Sequence, residues 1–98
     1  MNANDFEIEL KKLDKRFSIE ENPNRPGLSN IFYDGKNYDL PAISTNDIRD
    51  EIDPAYQYEF PNGFRARFWS KGEVLSRIEV FLKNMHEYKD LYKEKGNE

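Results

Sequence analysis

YQYEFPNGFRARFW, residues 56–69, sets Arg65 and Arg67 among six aromatic side chains. Rings that stack on bases, with cations between them, are what a nucleic-acid-binding strand pair presents. An ordinary amphipathic hairpin is the alternative, and loop length chooses between them. With Asn62-Gly63 alone as the loop, Phe60 would face Arg65 and Tyr58 would face Arg67, mixing rings and cations. With Pro61-Asn62-Gly63 as the loop, Phe60 pairs with Phe64, Tyr58 with Ala66 and Tyr56 with Phe68. Glu59 then opposes Arg65 and Gln57 opposes Arg67 on the other face. A slip of one residue flips every side chain, so the pattern discriminates sharply. Proline suits the first position of a type I turn, and glycine suits the left-handed position that closes it. The longer loop is therefore specified. On this reading Tyr56, Tyr58, Phe60, Phe64 and Phe68 enter a core, and the arginines face outward.

Toward the C-terminus, Ser70-Lys71-Gly72-Glu73 is a capping box, and Trp69 and Val74 have the spacing of a hydrophobic staple. Val74, Ile78, Phe81, Met85, Tyr88 and Tyr92 make a helical stripe flanked by Leu75 and Leu82, with Gly96 as terminator. From Lys71 to Lys95 such a helix runs ~37 Å. A domain of this size is only ~26 Å across, so the last turns should overhang the sheet or fray.

Toward the N-terminus, PAISTNDIRDEIDP (41–54) has three large apolar residues, Ile43, Ile48 and Ile52. It fits either a helical turn or two or an extended connector. SNIFYDGKNYDL (29–40) reads as a hairpin, because Asp34-Gly35 suits a type I′ turn. Its register pairs Tyr33 with Lys36, Ile31 with Tyr38 and Ser29 with Leu40. In NDFEIELKKLDKRF (4–17), Phe6, Leu10, Leu13 and Phe17 fall on one helix face, with Asn4 as cap and an end near Phe17. A short extended piece and a loop follow in SIEENPNRPG (18–27), where prolines oppose helix. The expected fold is α+β: an N-terminal helix, a four-stranded antiparallel sheet from two hairpins, and a long C-terminal helix packed on the sheet.

Length fits one small domain over 1–98, with 1–5 and 94–98 expected to fray. Apolar residues are 37% and charged residues 35%, yet the apolar positions are periodic, which argues against disorder. The net charge of −4 is uneven: −6 over residues 1–63 and +2 over 64–98. There is no cysteine, so disulfides, thiolate nucleophiles and sulfur-bound metals are excluded. Met1–Leu10 lacks the basic start and apolar run of a signal peptide, and no stretch is apolar enough to span a bilayer. A soluble cytoplasmic protein that does not engage membranes is the expectation.

Catalytic chemistry has little to work with. His86 is the only histidine and sits at the edge of the helix stripe, where an ordinary surface role suffices. Asp47, Asp50, Glu51 and Asp53 offer oxygen ligands, but the spacing is not that of an EF-hand and no glycine lies between Gly35 and Gly63. Phosphate-loop, dinucleotide and hydrolase patterns do not occur. No catalytic residue, metal or cofactor is expected. The acidic cluster reads instead as a solvated or partner-facing edge within residues 34–59, whose net charge is −5. Tyr88, Leu91 and Tyr92 on the overhanging helix are a second candidate partner surface. Nucleic-acid binding would rest on Arg65, Arg67, Lys71 and Arg77, a modest patch on an acidic chain. Another protein is the favoured partner, with nucleic acid as the alternative.

SNIFYDGKNYDLPAI, then IRDEIDPAY and EFPNGF, then a capped helix, resembles small uncharacterised proteins encoded by phages and prophages of Gram-positive bacteria. The likeness covers roughly residues 29–82, and its motifs are structural. It transfers no catalytic or binding residue. It implies a context only: the cytoplasm of a bacterial host, and a small accessory protein that binds and redirects or inhibits a host protein.

Overall fold

Asn2, two residues earlier than the expected Asn4, caps the first helix: its side chain accepts the Asp5 amide at 2.9 Å. That helix, α1, spans Ala3–Leu13 and buries Phe6 and Leu10 completely. The computed structural model describes the backbone of residues 1–96 and the side chains of residues 1–86. Residues 1–5, expected to fray, are tied down. The Ala3 amide donates to Thr45 O at 2.9 Å and the Ile48 amide to Met1 O at 2.6 Å.

The helix also stops short of its expected end. Asp14 adopts extended geometry as the C-cap, and Leu13 is left 57% exposed. Phe17 still reaches the core, but as the first residue of a strand, β1 (Phe17–Glu21). The helical spacing of Leu13 and Phe17 was thus the coincidence of a helix end and a strand start. β1 pairs antiparallel with β2 (Leu28–Tyr33), which pairs in turn with β3 (Ala42–Ser44), giving the order β1-β2-β3. Glu7 from α1 guards the outer edge of β1 by accepting the Ile19 amide at 2.6 Å.

The first expected hairpin forms only one rung. Tyr33 and Lys36 exchange backbone bonds around Asp34 (φ 51) and Gly35 (φ 82), as the type I′ turn requires. The chain then makes a second turn with positive φ at Tyr38 and Asp39, and the Leu40 amide bonds Asn37 O. Asn37 Nδ2 fastens this excursion to Ile31 O at 2.7 Å. When pairing resumes, Ile43 rather than Leu40 lies opposite Ser29, and the expected Ile31–Tyr38 pair is absent. Tyr38 instead lies across Phe81, with ring centroids 5.4 Å apart. Segment 41–54 resolves as β3 followed by an irregular connector, without helix.

Odd-numbered residues of the three strands share one face, and Phe17, Ile31, Tyr33 and Ile43 there are buried. Phe6 and Leu10 from α1 pack on them, together with Val74, Ile78 and Phe81 from the long helix α2 (Lys71–Gly96). Leu40 and Ile48 complete the cluster.

The second hairpin keeps the register its loop demanded. β4 (Gln57–Glu59) and β5 (Arg65–Arg67) pair Gln57 with Arg67, Tyr58 with Ala66 and Glu59 with Arg65. Gly63 has φ +89, and the Phe60 amide bonds Phe64 O at 2.7 Å. Two expectations fail. The hairpin does not join a four-stranded sheet but forms a separate two-stranded one. Its rings also stay outside the core: Phe64 is 72% exposed, and Tyr56, Tyr58, Phe60 and Phe68 are half-buried. Those four rings instead form a ladder with a guanidinium at each end. Arg25 lies 5.0 Å over Phe60, which meets Tyr58 at 5.1 Å. Tyr58 meets Phe68 at 5.9 Å, Phe68 meets Tyr56 at 5.0 Å, and Arg49 lies 4.4 Å over Tyr56. Each cation–ring contact contributes about 0.5–1 kcal/mol at exposed sites. Arg25 comes from the turn between β1 and β2, so the ladder fastens the small sheet to the large one. A hydrogen bond of 2.7 Å between Tyr56 Oη and Ser44 Oγ adds to it.

The molecule is elongated, 52 × 26 × 21 Å, with a radius of gyration of 15.2 Å. A compact chain of this length would have about 13 Å. α2 extends to Gly96, and among the described side chains Met85 packs against the core. Among the described residues no helix is long and apolar enough to cross a membrane.

Candidate functional site

The irregular connector and the first turn of α2 are held side by side. The Lys71 amide donates to Arg49 O at 2.7 Å. Ser70 and Glu73 complete the expected capping box: the Glu73 amide bonds Ser70 Oγ at 3.3 Å, and the Ser70 amide bonds Glu73 Oε1 at 3.0 Å. The box pairs two of the amides at the helix start reciprocally. Arg67, expected to face solvent beside Gln57, reaches instead into this cap. Its Nη1 and Nη2 grip the two oxygens of Glu73 at 2.7 and 2.9 Å. The Arg67 bonds, then the Ser70 amide, hold the Glu73 carboxyl well below the usual range, at about 2.

Between the two segments lies an open cleft of about 600 Å³, lined by Asp50, Glu51, Ile52, Ser70, Gly72, Glu73 and Ser76. Ile52 is 58% exposed at its rim. Asp50 and Glu51 are exposed and form no ion pair among the described residues. The cleft thus offers two carboxylates without an ion pair among the described residues, an apolar side chain and two hydroxyls. Of the two residues with staple spacing, Val74 is fully buried and Trp69 is 38% exposed.

The acidic candidates divide. Asp47 and Asp53 are both held by Arg49, at 2.9 and 3.0 Å. Asp50 and Glu51 point to the cleft. No group of three or more ligating side chains is gathered for a metal among the described residues. The basic candidates divide as well. Arg67 is bound to Glu73, and Lys71 Nζ pairs with Glu9 of α1 at 3.1 Å. Arg65 is exposed, and its expected cross-strand ion pair with Glu59 does not form although the two are in register. Arg77 is half-buried on α2. Two of the four cations are therefore already engaged within the molecule. The side chains of Tyr88, Leu91 and Tyr92 lie outside the described residues. His86 is exposed on α2.

Sequence reasoning missed Arg49 and Arg25. Arg49 is four residues before Asp53, a helical salt-bridge spacing, but here it acts in a bent connector and stacks on a ring from another segment. Nothing local to residue 25 signals its contact with Phe60. The chain matches no protein-family model, no curated protein and no solved structure.

Proposed function

We propose that the chain is a non-enzymatic, acidic protein-binding domain, of the kind by which small phage accessory proteins modulate a host factor. The observation that carries this reading is the cleft: Asp50 and Glu51, without an ion pair among the described residues, beside exposed Ile52, over a helix start closed by the Ser70–Glu73 capping box. Carboxylates around an apolar rim fit a partner segment that alternates basic and apolar side chains. The nucleic-acid alternative retains Arg65 and Arg77, while Arg67 and Lys71 are occupied within the molecule.

The test is a fluorescence titration of the protein with a labelled peptide of alternating lysine and phenylalanine, against a glutamate–phenylalanine control. Binding of the basic peptide alone is expected, weakened about tenfold or more by Asp50→Lys with Glu51→Lys. Equal binding to both peptides, or no effect of the double substitution, would refute the reading. A salt-sensitive shift of single-stranded DNA by the same protein, lost in Arg65→Glu, would favour the nucleic-acid alternative.

A further inference from the structure

Asn62-Gly63, at the tip of the second hairpin, is the one Asn-Gly step in the chain. Both residues are exposed, and with Phe64 they line an open depression of about 230 Å³, so water reaches them freely. The loop turns the Asn62 side chain forward along the Gly63 peptide, where its Oδ1 accepts the Phe64 amide at 3.1 Å. That bond draws electrons from Cγ and stabilises negative charge that develops on Oδ1. Asn62 Nδ2 makes no hydrogen bond among the described residues. Gly63 has no side chain to hold its nitrogen away from Cγ, and even an added Cβ would meet nothing within 4 Å. One restraint opposes reaction: the Gly63 amide donates to Phe60 O at 2.9 Å. A single exposed hydrogen bond slows the amide by only about three- to tenfold.

We propose that Asn62 is a self-modifying site, converting in the folded chain to aspartate and isoaspartate without an enzyme. The Gly63 nitrogen loses its proton to hydroxide and attacks Asn62 Cγ. A new N–C bond forms, the Cγ–Nδ2 bond breaks, and Nδ2 takes a proton from water and leaves as ammonia. Water then opens the cyclic imide. Cleavage at Cγ gives aspartate; cleavage at the main-chain carbonyl gives isoaspartate. The net change is amide plus water to carboxylate plus ammonium, with no redox partner. Either product adds a negative charge beside Arg65. Isoaspartate also lengthens the main chain by a methylene within the loop that sets the β4–β5 register, which loosens the Phe60–Phe64 rung. The site is separate from the cleft and does not depend on its role.

Incubation of the full chain at mildly alkaline pH, followed by tryptic mapping, tests it. The tryptic peptide spanning residues 50–65 holds Asn62 as its only asparagine. Its amide form should decay with a rate proportional to hydroxide and give two separable acid products, while the peptides carrying Asn24, Asn30 and Asn37 stay unchanged. The same decay in urea should be faster by no more than about tenfold, the weight of the one bond that Gly63 must release. Asn62→Gln, at an exposed position, should keep the circular dichroism and lose the conversion. The isoaspartate form, separated by anion exchange, should exchange the amides of β4 and β5 faster than the unmodified chain. Decay of Asn62 no faster than that of Asn37 would overturn the inference. So would conversion in urea with Asn62 intact in the folded chain, because the loop would then protect the residue.

Discussion

Glu73 shows how much one side chain can hold. It accepts two bonds from Arg67 and one from the Ser70 amide, so helix cap, hairpin base and cleft wall share a carboxylate. Its ionisation near 2 lies below the ~4.3 of an unfolded glutamate. The associated stability is full above the unfolded value and is lost as pH falls toward 2. Glu73→Gln should flatten the acid limb of a stability–pH curve over that window. At neutral pH it should cost about 1–2 kcal/mol in denaturant titrations, from the weakened cap and the lost pair. Tyr33 gives the opposite dependence. Burial first, then the hydrogen bond to Asp14, raises its phenol, so its contribution is full below about 10 and fades as pH rises further. Tyr33→Phe should remove that alkaline loss, read by the same titration above pH 9. The capping box was legible because its partners are three residues apart. The Arg67 contact was not, because it depends on where the strand meets the helix.

Elements were legible in proportion to how local their determinants are. Pro61-Asn62-Gly63 and Asp34-Gly35 dictate backbone geometry within four residues, and both turns form as read. Phe17 shows the limit: an apolar residue in helical phase can equally open a strand once Asp14 ends the helix. The second limit is burial. Alternation told which side chains share a face of the second hairpin, but not whether another element covers that face. Only the ring ladder does, and it stops short of Phe64. Substituting Phe64 by serine should therefore shift stability by no more than about 0.5 kcal/mol. Ile43→Ala, in a fully buried position, should cost about 2–5 kcal/mol. Thermal and urea denaturation of the two variants decides whether the rings belong to the core.

For the molecule as a whole, a helix-backed three-stranded sheet carries the core and a two-stranded sheet is strapped beside it. The sequence could place the apolar residues of the body, but not the strap, since Arg25 and Arg49 reach rings 35 and 7 residues away along the chain. Replacing both arginines by alanine should speed amide exchange in β4 and β5 about tenfold, from about 1–2 kcal/mol of lost contacts, while β2 is little affected. The ladder also has a calorimetric consequence. Its rings are half-exposed before the hairpin lets go, so release wets little new apolar surface and changes the heat capacity little. Detachment of the small sheet should then depend on temperature almost as a simple enthalpy does, whereas melting of the body follows the curved dome of a buried core. Cooling, which weakens hydrophobic packing, would loosen the body while leaving the strap nearly as tight as before.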